Sequence, residues 1–119
     1  RTLNQRLELA LTGSGFGVWE FDLQSGTLRW DATMFKIYGV NPATWDGAVE
    51  RWKALLHEDD RARVDAAFED LLAGRRVDQL IMRIRRADDG ELRWIEANGY
   101  LQTDDTGKSQ RLVGMNRDI

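Results

Sequence analysis

Residues 82–95 read MRIRRADDGELRWI. Met82 and Ile84 alternate with Arg83 and Arg85, the period-two pattern of a half-buried strand, and alternation resumes in Leu92–Ile95. Between them lies Ala87–Gly90, where aspartates offer acceptors to turn N–H groups and glycine tolerates positive φ. The stretch is a β-hairpin. Extended backwards, VDQLIMRIRR puts Leu80, Met82 and Ile84 on one face. Extended forwards, ELRWIEANGYLQT sends Ile95, Ala97, Gly99 and Leu101 one way and Leu92, Trp94 and Tyr100 the other. A second turn, Asp104–Gly107, leads into SQRLVGMNRDI, so the C-terminal third is a three-strand meander.

Upstream of the hairpin the period changes to that of helices. Val64, Phe68, Leu71 and Leu72 share one helical face, begun by Asp59 or Asp60 and stopped by Gly74. Before it, Asp46 is a cap for a helix carrying Val49, Trp52 and Leu55/Leu56 on one side. Asp31 caps a short helix through Tyr38, with Gly39 at its end and Asn41–Pro42 as a loop or new helix start. Further upstream, FGVWEFDLQSGTLRW is another hairpin, with Trp19 and Phe21 on one face and a Ser25–Gly26 turn. Leu3, Leu7 and Leu11 form an apolar stripe on an amphipathic helix over residues 1–12, leaving 13–119 as one domain. Strands, helices and then strands give an α+β fold: an antiparallel sheet with helices on one face.

Composition narrows function. The chain has 119 residues, 42% hydrophobic and 31% charged, with a formal charge of −3. That suits one globular domain, offers no membrane span and gives no basic surface for nucleic acid. With no cysteine and a single histidine, His57, there is no thiolate chemistry and no basis for a metal centre. His57 in HEDDR is read as a helix–helix corner. Asp59–Asp60, Asp88–Asp89 and Asp104–Asp105 are read as turn and helix-start acceptors, not acid–base pairs. Arg83, Arg85, Arg86 and Arg93 are read as a solvated cross-strand charge face. Gly13–Gly17 precedes a strand and so is no phosphate cradle. No nucleophile–base–orienter set exists, and none of these residues is assigned a catalytic role.

The words GVWEFDL (17–23), LRWDATMFKIYG (28–39), W..LLHEDDR (52–61), MRIRRADDGELRWI (82–95) and RLVGMNRDI (111–119), in this order and spacing, resemble the PAS sensory domain of bacterial signalling proteins. The resemblance covers nearly the whole chain. It implies a five-stranded antiparallel sheet wrapped on one face by helices around a pocket. It further implies signal transduction without catalysis, a C-terminal output domain in the same chain and a cytoplasmic location, whether or not the parent is membrane-anchored. The output domain would be that of a sensor histidine kinase in a two-component phosphorelay or, alternatively, of a diguanylate cyclase or phosphodiesterase. The flavin branch needs a cysteine and the haem branch a histidine in the long helix. Neither is present, so covalent flavin and haem are disfavoured and an unknown small ligand is left open.

Strand parity and helix faces nominate the pocket residues: Trp19, Phe21, Phe35, Trp52, Phe68, Met82, Ile84, Ile95 and Ala97. Asn116 joins them because the flavin branch has a polar residue two positions after the glycine of its last strand. Ala97 and Gly99 leave space over the sheet that the aromatic rings can fill, so a packed core and a ligand pocket both fit. Outward parity of Leu92, Trp94 and Tyr100 makes an apolar patch. With the stripe of Leu3, Leu7 and Leu11, and Asp118 at the end of the last strand, it is the expected homodimer and relay surface. No direct membrane contact is expected of it.

Overall fold

The structure is a computed structural model and describes residues 15–119. The helix expected over 1–12, with Leu3, Leu7 and Leu11, lies outside the described residues.

Strands β1 (Phe16–Asp22) and β2 (Thr27–Trp30) form the first hairpin. Asp22 organises its turn, its carboxylate accepting from the N–H groups of Gln24 and Ser25 at 2.9 and 3.0 Å. Helix α1 (Ala32–Tyr38) follows. Asp31 caps it by accepting from the Met34 N–H at 2.9 Å, and Gly39 ends it at φ 66°. A 3₁₀ turn (Pro42–Thr44), helix α2 (Val49–Lys53) and a second 3₁₀ turn (Glu58–Asp60) lead to helix α3 (Arg61–Leu72). The meander is β3 (Val77–Arg85), β4 (Leu92–Thr103) and β5 (Ser109–Asp118).

The sheet order is β2-β1-β5-β4-β3, every neighbour antiparallel, which places the last strand at the centre. The expected alternation holds. Met82, Ile84, Ile95 and Ala97 are buried against Met34, Ile37, Tyr38, Leu56 and Val64 from the helical segments. The α+β architecture and five-stranded sheet expected from sequence are therefore present. One irregularity interrupts β3: the register shifts between Val77 and Leu80, where Gln79 adopts φ 55° and donates its N–H to the Asn98 carboxamide at 2.8 Å.

The segment before α3 runs along the outer edge of β3. The His57 N–H donates to the Arg83 carbonyl, and the Arg85 N–H donates to the Leu55 carbonyl. Arg63 donates to the Ile81 carbonyl at 2.7 Å. At the opposite edge, the Leu28 N–H donates to Gly47 and the Trp45 indole N–H to the Leu28 carbonyl.

Three local expectations need correction. Helix α2 begins after Ala48 with no side-chain cap; Asp46 accepts from the Ala48 N–H upstream of it and pairs with Arg51 at 4.0 Å. Asp60 stands at the start of α3 but makes no side-chain cap, because its carboxylate is taken by Arg83. It accepts from the Arg83 backbone N–H at 2.7 Å and from the guanidinium at 2.8 and 3.1 Å. The arginines are accordingly not one solvated face. Arg83 is held by buried Asp60, and Arg86 donates to the carbonyls of Lys36 and Ile37 at the end of α1. Arg93 donates to Glu91 and Asp118 at the sheet end.

Candidate functional site

A cavity of about 50 Å³ lies between the inner sheet face and the helices. Its floor is set by a pair of glycines. Gly99 on β4 faces Gly114 on β5, and Gly114 in turn faces Trp19 on β1. A Cβ on Gly114 would collide with the Asn98 carbonyl and the Trp19 ring, and one on Gly99 would stand 3.1 Å from the same ring. The absence of two side chains lets the Trp19 indole lie flat across the central strands.

The indole orientation aims Nε1 at Asn116, which sits between Gly17 and Ala97 in the sheet and is only 2% exposed. The Trp19 N–H donates to Asn116 Oδ1 at 3.1 Å, and Asn116 Nδ2 donates to the Tyr38 hydroxyl at 2.9 Å. The Trp52 indole N–H donates to the same hydroxyl at 3.1 Å. The chain of bonds thus links β1, β5, α1 and α2. An indole N–H only donates, so Trp19 fixes which end of the Asn116 amide is oxygen. Burial pushes the Tyr38 hydroxyl well above the ordinary tyrosine range, keeping it neutral. Its ring stacks on Trp30 at 4.7 Å, which stacks on Trp45 at 4.0 Å, so the hydroxyl is held rigidly.

Of the pocket residues expected from sequence, Trp19, Trp52, Phe68, Met82, Ala97 and Asn116 line the cavity. Phe21, Phe35, Ile84 and Ile95 do not. Phe21 packs edge-on against Phe68 at 5.4 Å, Phe35 packs against Trp30 and Trp45, and the two isoleucines are core. Sequence reasoning missed Trp30, Met34 and Leu28 in the wall, and above all Tyr38 behind it, the hydroxyl on which Asn116 and Trp52 converge. A signal for Tyr38 existed: several indole N–H groups in a small core need an acceptor, and a tyrosine at an inward helix end supplies one.

On the other face, Leu92, Trp94 and Tyr100 are 40%, 49% and 43% exposed, with the Arg83 guanidinium 5.3 Å from the Trp94 ring. Asp118 accepts from Arg93 at 2.8 Å, joining the ends of β4 and β5. His57 is a corner residue, its Nδ1 accepting from the Asp59 N–H at 3.1 Å. Among the described residues no helix is long and apolar enough to cross a membrane.

Comparison with known proteins agrees with this geometry. The chain is 29% identical over 120 residues to "Probable diguanylate cyclase DgcE" of Escherichia coli, a match spanning 98% of this chain and 10% of that protein. It is 27% identical over 118 residues to "Sensor protein FixL" of Bradyrhizobium diazoefficiens, spanning 97% of this chain and 22% of that one. The chain therefore covers a tenth to a fifth or so of the length of these relatives. Among solved structures, a sensory box histidine kinase/response regulator from Burkholderia thailandensis superposes with a TM-score of 0.75 at 29% identity. That match covers 96% of this chain and 84% of the other. A family model described as the PAS fold matches residues 27–116, and with a cavity enclosed between a five-stranded antiparallel sheet and its helices, the chain belongs to the PAS family.

Proposed function

We propose that this PAS domain is the sensory part of a longer bacterial signalling protein, a sensor histidine kinase, and that it acts from the cytoplasm. Cavity occupancy or partner contact biases a C-terminal output domain of the same chain. The observation that carries this reading is the polar chain Trp19–Asn116–Tyr38–Trp52 beside an apolar cavity. A change at Asn116 is felt on β5, which runs on to Asp118, and on α1 and α2. Such a bonded network has a small number of discrete arrangements, the requirement for a two-state relay. The domain itself is proposed to be non-catalytic. A diguanylate cyclase output is the alternative, favoured by the similarity to DgcE over nearly the whole chain.

The ligand we propose is small and is neither haem nor a covalently linked flavin. Support comes from the missing cysteine, from an α3 without histidine, and from a cavity far smaller than the ~300–1,000 Å³ of cofactor-sized pockets. Native mass spectrometry of freshly purified protein tests the reading. A co-purifying small molecule, lost in Asn116→Leu, is the expected result. Protein carrying no ligand, with Asn116→Leu indistinguishable in fold and mass, would leave the ligand-free dimerisation module instead. That second reading is favoured by the exposed patch of Leu92, Trp94 and Tyr100, which we propose as a homodimer contact.

A further inference from the structure

The polar chain at the cavity has more donors than acceptors. Trp19, Trp52 and Tyr38 each bring one N–H or O–H, and the Asn116 amide brings two more. Only the Asn116 oxygen and the Tyr38 oxygen accept, taking the bonds from Trp19, Asn116 and Trp52. Because both neighbours of the Tyr38 oxygen are donors, its own proton finds no acceptor among the described residues, and neither does the second Asn116 N–H. Turning the amide over does not help, since it would set Asn116 Nδ2 against the Trp19 N–H and strand both. Tyr38 and Asn116 are 0% and 2% exposed, so bulk water does not serve them, and a bare buried donor is destabilising.

We infer that the cavity takes a small neutral molecule bearing an acceptor oxygen of the carbonyl type on an apolar body, the oxygen answering the second N–H of Asn116, which lines the cavity where Tyr38 does not. This rests on reading the cavity as a ligand site and adds the chemistry of its occupant. Neutrality follows from the walls: no charged side chain lines the cavity, so a carboxylate would be desolvated without a counter-ion. Size follows from the volume of about 50 Å³, which holds only a few non-hydrogen atoms. The remaining wall, from Met34, Val64, Leu71 and Met82, suits alkyl groups.

Acetone and isobutene make a matched pair of probes, alike in shape and differing in whether the double bond ends in an acceptor. Each is titrated into ¹⁵N-labelled protein while the Trp19 and Trp52 indole N–H signals are followed. Acetone is expected to bind saturably, and Asn116→Leu to weaken it at least fivefold while isobutene changes less than twofold. Equal changes for the two probes would overturn the acceptor inference and leave the ligand site standing, as would happen if an ordered water met the donors. If neither probe binds the wild type, the ligand-site reading fails with it. Should Asn116→Leu not fold, the ¹³C shift of wild-type-bound acetone decides. A hydrogen-bonded, downfield carbonyl supports the inference, and a hydrocarbon-like value overturns it.

Discussion

Trp19 reaches Asn116 because Gly99 and Gly114 beneath it carry no side chains. The two glycines are not equivalent. A methyl group on Gly114 would overlap the Asn98 carbonyl and the ring outright, whereas one on Gly99 is only crowded, at 3.1 Å from the ring edge and 3.3 Å from the Val113 carbonyl. Gly114→Ala is expected to cost about 2 kcal/mol and to shift tryptophan emission as the indole is displaced, while Gly99→Ala costs less than half as much. Urea unfolding followed by fluorescence measures both, and equal losses would contradict the packing described. Part of this was legible beforehand. Ala97 and Gly99 announce space over the sheet, aromatic rings are the natural filler, strand parity places Trp19 inward, and the family resemblance nominates Asn116. Tyr38 was only half legible: the tryptophans call for a buried acceptor, but that this hydroxyl is the one depends on partners distant in sequence, Asn116 and Trp52.

At the level of elements, two arginines fasten helices to the meander. Asp60, 3% exposed, joins the start of α3 to Arg83 of β3, and that guanidinium holds its carboxyl well below the usual carboxylate range. A depressed folded-state pKa means the unfolded chain takes up the proton first as pH falls. The pair's contribution is therefore complete above about pH 4 and declines at lower pH. Asp60→Asn should lower stability by about 2 kcal/mol at pH 7, and the gap from wild type should narrow between pH 5 and 2. Thermal unfolding over that range reads it, and a constant gap would argue against the pair. Arg86 plays the corresponding part for α1 by donating to two of its terminal carbonyls. Arg86→Ala should cost about 2 kcal/mol in the same assay, since charge-assisted bonds are lost and carbonyls left bare. Arg86→Lys should recover only part of it, one ammonium replacing a fork. In the sequence Asp59–Asp60 looks like a pair of caps and the arginines like a solvated face. Periodicity reports burial along one element, and says nothing of a carboxylate reaching across 23 residues to another.

For the molecule as a whole, the unanswered surface is the outer sheet face. The parity argument for Leu92, Trp94 and Tyr100 was sound, since alternation is exact along a regular strand and all three are exposed. Under the proposed dimer, Trp94→Glu puts a charge in an apolar contact and should yield monomer in sedimentation velocity at micromolar concentration. Wild-type protein that is already monomeric at a hundred micromolar would eliminate the dimer. The fold class was legible from three turn words and the change from period two to helical period and back. The pairing of β1 with β5, which sets the order of the sheet and brings Trp19 beside Asn116, was not legible: the resemblance implied five antiparallel strands without their order, and nothing local in either strand names the other.

The two borders of the sheet are both occupied by the chain itself. Along β3 the groups of Ile81, Arg83 and Arg85 are taken by Arg63, Asp60, His57 and Leu55, and along β2 both backbone groups of Leu28 are taken by Gly47 and Trp45. A sheet whose rims are stitched in this way offers a foreign strand little template at residues 81–85 of β3 and at Leu28 of β2, and strand addition is the usual beginning of fibre growth. Polymerisation by strand addition would first require residues 45–47 or 55–60 to peel away, breaking the Asp60–Arg83 clasp in the latter case. Under the proposed dimer, the tryptophan-bearing outer face would therefore be joined by stacking sheet on sheet, not by extending one sheet edge to edge.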